Sequence, residues 1–449
     1  MSGRGKGGGG GRGRSALNAS FIPIPINRPA NVDISLAINN VSVGLYGAAA
    51  SDIPTGNLMV SPISILYCTL LAYLGSRGST RSNLYDSLDF QEISPAGSDT
   101  DIVGAFEQLM KDLKVQTSAT AKGQKAKRPK AAKETEEISL TIESTEPRFQ
   151  LSLANGVFIQ NSADIDQGYL STANQKLKAS VEKKDFMKNA EGSRKDINKW
   201  VEERTGGRIK DLIPAGSVDG STVAVLANAI YFKARWEKTF HEAATNQKGT
   251  FSTLDGKTVP AKMMHMEQTG WYYTEGSQLG IQYLEIPYAD YEASMLIYLP
   301  KAKNGLRALE KALTAAVIAD LAKKAQGDNN VTMVDLRLPK FRVSSGFNLV
   351  KLLQKIGVND VFTKNADLTG MVPGGQVYVS DGFHKTFIEV DEKGTEAAAA
   401  SAMVVSYKSL LIEPEPTRRV TFYADHPFIY AIRHNRSKAI LFMGRLETL

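Results

Sequence analysis

The sequence predicts an α+β protein with helices mostly early and strands mostly late. Three observations predict it. Apolar residues recur at helical spacing through the first quarter of the chain, as in "NVDISLAINNVSVGLYGAAA" and "DIVGAFEQLMKDLKVQ". Later segments switch to alternation or to short apolar runs, as in "FQLSLANGVFIQ" and "KAILFMGRL". The 449 residues are 42% hydrophobic, enough for one large core, and no segment repeats.

Each element follows in order. Residues 31–50 read as a helix. "VSPISILYCTLLAYLGSRGS" reads as a second, with Pro62 in its first turn and Gly75 and Gly78 as its stop. Ile102, Phe106, Leu109 and Leu113 share one face of a third. "FQLSLANGVFIQ" is a strand, and "RKDINKWVEERTGGRIKDLI" is helical. In "TVAVLANAIYFKARW" both alternating sets are largely apolar, which predicts a central strand buried on two faces. "GIQYLEIPYADYEASMLIYLP" gives two strands with a turn at "YADYE". "VTMVDLRLPKFRV" reads as one strand and "NLVKLLQKIGV" as a helix closed by Gly357. "KTFIEVDEKG", "VTFYADHPFIYAIRH" and "KAILFMGRL" read as strands.

Charge and composition narrow the class. The net charge is +7, but it sits in two places. Residues 1–14 hold four basic residues and no acid, inside a Gly/Arg-rich tail spanning 1–30. Lys122, Lys125, Lys127, Arg128, Lys130 and Lys133 form a second acid-free run. The remainder is net negative, so the basicity belongs to segments outside the patterned body. Six cations in twelve residues favour a polyanion: DNA, RNA, a heparin-like glycan or an acidic protein. No apolar run is long enough to span a membrane. The glycine-rich start does not read as a secretory signal. With the single Cys68 and the "KRPK" pattern, this predicts a cytoplasmic or nuclear protein, the alternative being leaderless export.

Catalytic chemistry is thinly represented. The five histidines form no H-E-x-x-H, and no C-x-x-C or G-x-S-x-G is present. The spacing offers no metal set and "GKGGGG" lacks the strand and helix of a phosphate loop. The expectation is a non-enzyme without metal or obligate cofactor.

A stretch near the C-terminus is unusual: "HKTFIEVDEKGTEAAAASAM", a strand running into a series of very small side chains. With it come "VSPISI", "LANGVF", "NKWVEERTGGRIKDLI", "LANAIYFKARWEKTF", "LRLPKF", "GVNDVF", "ADLTGM" and "ADHPFIYAI … LFMGRL", in that order. On these motifs the chain resembles a serpin over roughly residues 32–446. The resemblance implies one domain over 31–449 with about nine helices, three β-sheets and an exposed reactive loop. A basic insertion at 115–147 would follow helix D, and the loop would occupy 392–418. It implies a suicide-type protease inhibitor: the loop is cleaved, the protease stays acyl-linked, and the cut loop enters the central sheet as a new strand.

The resemblance also assigns residues. The hinge is Glu392, Gly394, Thr395, Glu396, Ala397, Ala398, Ala399 and Ala400. The fifteenth residue counted from Gly394 is Lys408, so the reactive bond is Lys408–Ser409, with Tyr407 in the neighbouring subsite. Lysine suits a trypsin-like protease; Tyr407 also suits a cathepsin L-like cysteine protease, and both readings stay open. Ten residues separate Lys408 from "RVTF", a long downstream side that leaves room for a shifted cut. Ser61, Ser64, Asn228, Trp236 and His384 would form the polar and aromatic region that governs sheet opening. A polyanion bound at the basic insertion would act as a rate activator. The rival reading is a non-inhibitory serpin that binds nucleic acid or another polyanion. A monomer is expected.

Overall fold

The computed structural model describes residues 34–113, 149–328, 331–395 and 415–449. Among the described residues there are nine α-helices and sixteen strands, the strands forming three sheets.

Helices α1 (Ile34–Asp52) and α2 (Pro62–Gly75) flank strand β1 (Leu58–Val60). The Ser61 hydroxyl caps α2 by accepting from the Ser64 N–H, and Pro62 fills the first turn, where no N–H is needed. The chain then enters α3 (Gly78–Ser87), so Gly78 opens a helix and does not close one. In α4 (Asp99–Asp112), Ile102, Phe106 and Leu109 are buried along one face, as their spacing requires. Strand β2 (Phe149–Gln160) leads to α5 (Gln167–Ser171), β3 (Ser180–Lys184) and α6 (Phe186–Arg204). Here the sequence reading overran. The helix stops at Arg204 because Gly206 and Gly207 take φ of +60° and +78°, which breaks the helical path.

Strand β4 (Ala224–Arg235) is buried along almost its whole length. Leu226, Ile230 and Phe232 face the main core, whereas Val225, Ala227 and Ala229 join Phe186, Ile197 and Val201 of α6 in a second cluster. Next come β5 (Asn246–Ser252), β6 (Thr258–Gln268), β7 (Tyr272–Gly276), β8 (Ile281–Pro287) and β9 (Ala293–Pro300). They precede α7 (Leu306–Ala312), α8 (Ala315–Gly327), β10 (Thr332–Pro339), β11 (Phe341–Asn348) and α9 (Leu349–Lys355). "VTMVDLRLPKFRV" is therefore two strands in two sheets, broken at Lys340 just after Pro339. The last strands are β12 (Asp381–Asp391), β13 (Gly394–Thr395), β14 (Arg418–Tyr423), β15 (Phe428–His434) and β16 (Ile440–Leu446). "VTFYADHPFIYAIRH" likewise divides between two sheets, with "ADHP" as the passage between them.

The largest sheet has the order β11-β12-β13-β4-β2-β3. The second runs β1-β16-β15-β9-β8-β7 and the third β14-β10-β6-β5. Helix α2 packs against β2 and β4 on one side and β16 on the other, so it lies between the two large sheets.

Candidate functional site

The centre of the large sheet is not uniform. Strands β12 and β4 pair directly and in parallel from Asp381↔Val225 to Phe387↔Tyr231. Beyond that point they part, and β13 lies between them. Gly394 stands opposite Asp391 and Arg235, and Thr395 opposite Val390 and Ala234. The stretch read as the start of an exposed loop is thus seated: Thr395 is fully buried and Glu392 nearly so.

Glycine is required at the turn into the sheet. Gly394 has φ of +150°, and a Cβ there would lie 2.1 Å from the Ala234 carbonyl oxygen. The Asp391 carboxylate accepts from the backbone N–H of Lys393 at 2.9 Å and of Gly394 at 3.2 Å, closing the turn. Thr395 Oγ1 shares a 2.8 Å hydrogen bond with the buried Tyr288 hydroxyl.

Trp236 borders this seat. Its backbone N–H donates to the Lys393 carbonyl at 3.0 Å and its indole N–H to the Asp391 carbonyl at 2.9 Å. Its ring stacks on Tyr288 with centroids 4.5 Å apart. Glu392 accepts from Lys340 Nζ at 2.6 Å and from Thr245 Oγ1 at 2.8 Å. Burial pushes its carboxyl up, but the bonds from Lys340 and Thr245 prevail and hold it below the usual range.

Lower in the same sheet, where β12 and β4 touch, lies a row of polar residues. His384, Asn228 and Asn155 occupy matched positions on β12, β4 and β2. The Ser61 N–H donates to His384 Nε2 at 3.1 Å, so the ring proton is on Nδ1 and donates to the Asn228 side-chain oxygen. The Asn228 amide donates to Ser64 Oγ at 2.8 Å and to Asn155 Oδ1 at 2.7 Å. Ser61 Oγ donates to the Leu441 carbonyl at 2.7 Å, tying the row to β16. Burial pushes the His384 imidazole down to about 3, so it is neutral.

The structure therefore brings together Ser61, Ser64, Asn228 and His384, and separately Trp236, Glu392, Gly394 and Thr395. Glu396, Ala397, Ala398, Ala399, Ala400, Tyr407, Lys408 and Ser409 lie outside the described residues, as do Lys122, Lys125, Lys127, Arg128, Lys130 and Lys133. Sequence reasoning missed Tyr288, Lys340 and Asn155, which act through partners far away along the chain, and Asp391, whose carboxylate closes a local turn. It also missed a cluster on the third sheet. His265, Glu267 and Asp335 bring their ligand-type atoms within 4.8 Å of one another. These groups already have protein partners: His265 bonds Asp335 at 3.0 Å, Tyr423 donates to Asp335 at 2.7 Å, and Arg419 pairs with Glu267 at 3.6 Å. The cluster thereby ties β6, β10 and β14 together. Cys68 is enclosed in α2, where burial pushes its thiol up to about 12, an inert group at neutral pH.

The comparisons with known proteins agree with this geometry. The family model described as Serpin (serine protease inhibitor) matches residues 36–448. The leukocyte elastase inhibitor of Sus scrofa is 33% identical over 421 residues, covering 92% of this chain and 99% of the relative. That of Xenopus tropicalis is 34% identical, covering 93% and 99%. Among solved structures, Serpin48 of the insect Tenebrio molitor, described as highly specific, superimposes with a TM-score of 0.72 at 27% identity, covering 92% of this chain and 98% of that one. With three sheets, nine described helices and a match to the family model over residues 36–448, the chain belongs to the serpin family and is a protease inhibitor of serpin type, not an enzyme.

Proposed function

We propose that this serpin traps a trypsin-like serine protease that cuts after Lys408. The observation that carries the reading is β13. The hinge already occupies the first two positions of a new strand between β4 and β12, and the residues that follow are suited to continue it. Continuing the alternation from buried Thr395, the inward set is Ala397, Ala399, Ser401, Met403 and Val405. Small groups pass between packed strands without the overpacking that costs ~1–3 kcal/mol apiece, and the two apolar groups complete a core. No proline lies between Gly394 and Lys408, so each backbone N–H is free to join the ladder. About a dozen bonds at roughly 1 kcal/mol net give on the order of 10 kcal/mol, comparable to a domain's stability.

The target follows from the bait. Lys408 complements a protease with an acid at the base of its specificity pocket, whereas elastase-type pockets are small. This supports a target different from the one in the relatives' name. Tyr407 favours a second reading, a cathepsin L-like protease with an aromatic-accepting neighbouring pocket. The basic run at 122–133 supports a polyanion as rate activator, and the "KRPK" pattern within it supports a nuclear location. No described helix is long and apolar enough to cross a membrane.

Incubation with trypsin tests the proposal. The parent is expected to give an SDS-stable covalent complex, and Lys408→Glu to lose it. A variant that inhibits trypsin as fast as the parent contradicts the assignment of Lys408.

A further inference from the structure

We infer that Tyr288 is a positioning residue of the trap. Its hydroxyl holds Thr395 in the mouth of the sheet before any protease arrives, and so sets how far the hinge is inserted in the uncut protein. The inference rests on the inhibitory reading only where the outcome with protease is concerned.

Tyr288 lies just after β8, a strand of the second sheet, yet its side chain reaches the large one. It is fully buried. Its ring is held on two sides, stacked on Trp236 at 4.5 Å and edge-on to Phe232 at 5.3 Å. Its backbone is fixed as well, by a bridge to Trp236 and by an N–H donated to the Ala293 carbonyl at 2.9 Å. A phenol clamped in this way has little freedom to turn, so its oxygen marks a fixed point at the mouth of the gap. Thr395 Oγ1 meets that point at 2.8 Å. Burial pushes the phenol's pKa up, so the group stays a neutral hydroxyl able to bond another hydroxyl.

The energetics favour a latch of limited strength. Both hydroxyls are out of water, so separating them leaves two buried polar groups unpaired unless the hinge leaves the gap. A neutral pair of this kind shifts the balance between seated and released hinge by about fivefold, enough to bias the hinge and not enough to prevent movement. Nothing else described grips the Thr395 side chain through a hydrogen bond. The Asp391 turn, Trp236 and Lys340 hold the residues before it. Seating Thr395 has two consequences. It withdraws Gly394 and Thr395 from what a protease can reach, and it gives insertion a formed start from which the strand can extend after cleavage. Releasing it is expected to delay insertion, so that more acyl-enzyme is hydrolysed before it is trapped.

The test uses Tyr288→Phe, which keeps the stacked ring, Thr395→Val, which keeps the shape of the threonine, and the double variant. Amide hydrogen exchange of the peptide around 388–400 reads the seat without protease. Exchange about fivefold faster in each single variant, with the double variant no faster than either, supports the latch. Unchanged exchange in both single variants, or effects that add in the double variant, overturns it. With trypsin, the same variants are expected to consume more inhibitor per protease trapped, while their Tm stays near the parent's. A fall in Tm with unchanged inhibitor consumption indicates mere packing and also overturns it. If the parent itself forms no covalent complex, the inhibitory reading fails, and the exchange measurement still decides the latch.

Discussion

The two ends of the β4–β12 seam differ in how they are closed. At the lower end the strands pair directly, and a row of His384, Asn228 and Asn155 crosses three strands with Ser61 and Ser64 beneath it. At the upper end the same strands are parted by Gly394 and Thr395, and the surroundings are aromatic: Trp236, Tyr288 and Phe232. The difference is one of cost. Opening the lower end strands several buried polar groups, each needing a partner. Opening the upper end further asks mainly for a small side chain to enter an apolar slot. On the proposed function the seam opens from one end, the end at which Gly394 and Thr395 already lie between the strands.

Thr395→Arg is expected to break this contrast with the largest effect. A guanidinium at this fully buried position, beside Tyr288, would be desolvated and too large for the slot that holds threonine, a penalty of several kcal/mol. The hinge should leave the sheet and trypsin should cut the loop as substrate. Continued formation of the SDS-stable complex at full yield counts against the seat as the start of insertion.

Acid should act on the lower end. His384 is buried and neutral, its pKa pushed down to about 3; away from the seam, at the end of β15 in the second sheet, His434 is pushed down by burial to about 4. Below the ordinary histidine value the unfolded chain binds protons that the folded one refuses. Stability is therefore full above about pH 6.5 and falls as the pH drops toward the folded values. Between pH 6.5 and 5 the loss is on the order of 2 kcal/mol for each histidine. Denaturant titrations at these two pH values check it, and equal stabilities would mean that the imidazoles are not shielded as described.

Much of the frame was legible in the sequence. Strand β2 matches "FQLSLANGVFIQ" residue for residue, because a long apolar strand bounded by polar residues has few alternatives. β4 was legible as a central strand because both of its faces are apolar. The strands β5 and β6 gave no comparable signal: β5 is mostly exposed, and β6 carries a proline within an irregular pattern. Helix α6 was overextended because the apolar spacing of "RIKDLI" continues past the glycines that end it. For the site, motif resemblance pointed to Ser61, Ser64, Asn228, Trp236 and His384. It did not point to Tyr288 or Lys340. Tyr288 meets Thr395 across 107 residues and Lys340 meets Glu392 across 52, and no local pattern encodes such meetings. Nor did the small residues after Gly394 reveal that the first of them is already inside the sheet, since the same pattern fits a hinge lying outside it.

The central claim is that the uncut protein holds energy that is released when the loop becomes a strand. The most direct measurement is the melting temperature before and after a single cut near Lys408 by a protease the protein does not trap. The account predicts a Tm higher by about ten degrees in the cut form, because on the order of 10 kcal/mol of new sheet bonding, set against an unfolding entropy of roughly 0.9 kcal/mol/K for a chain this long, gives a shift of that size. A cut chain that melts where the intact one does would contradict it.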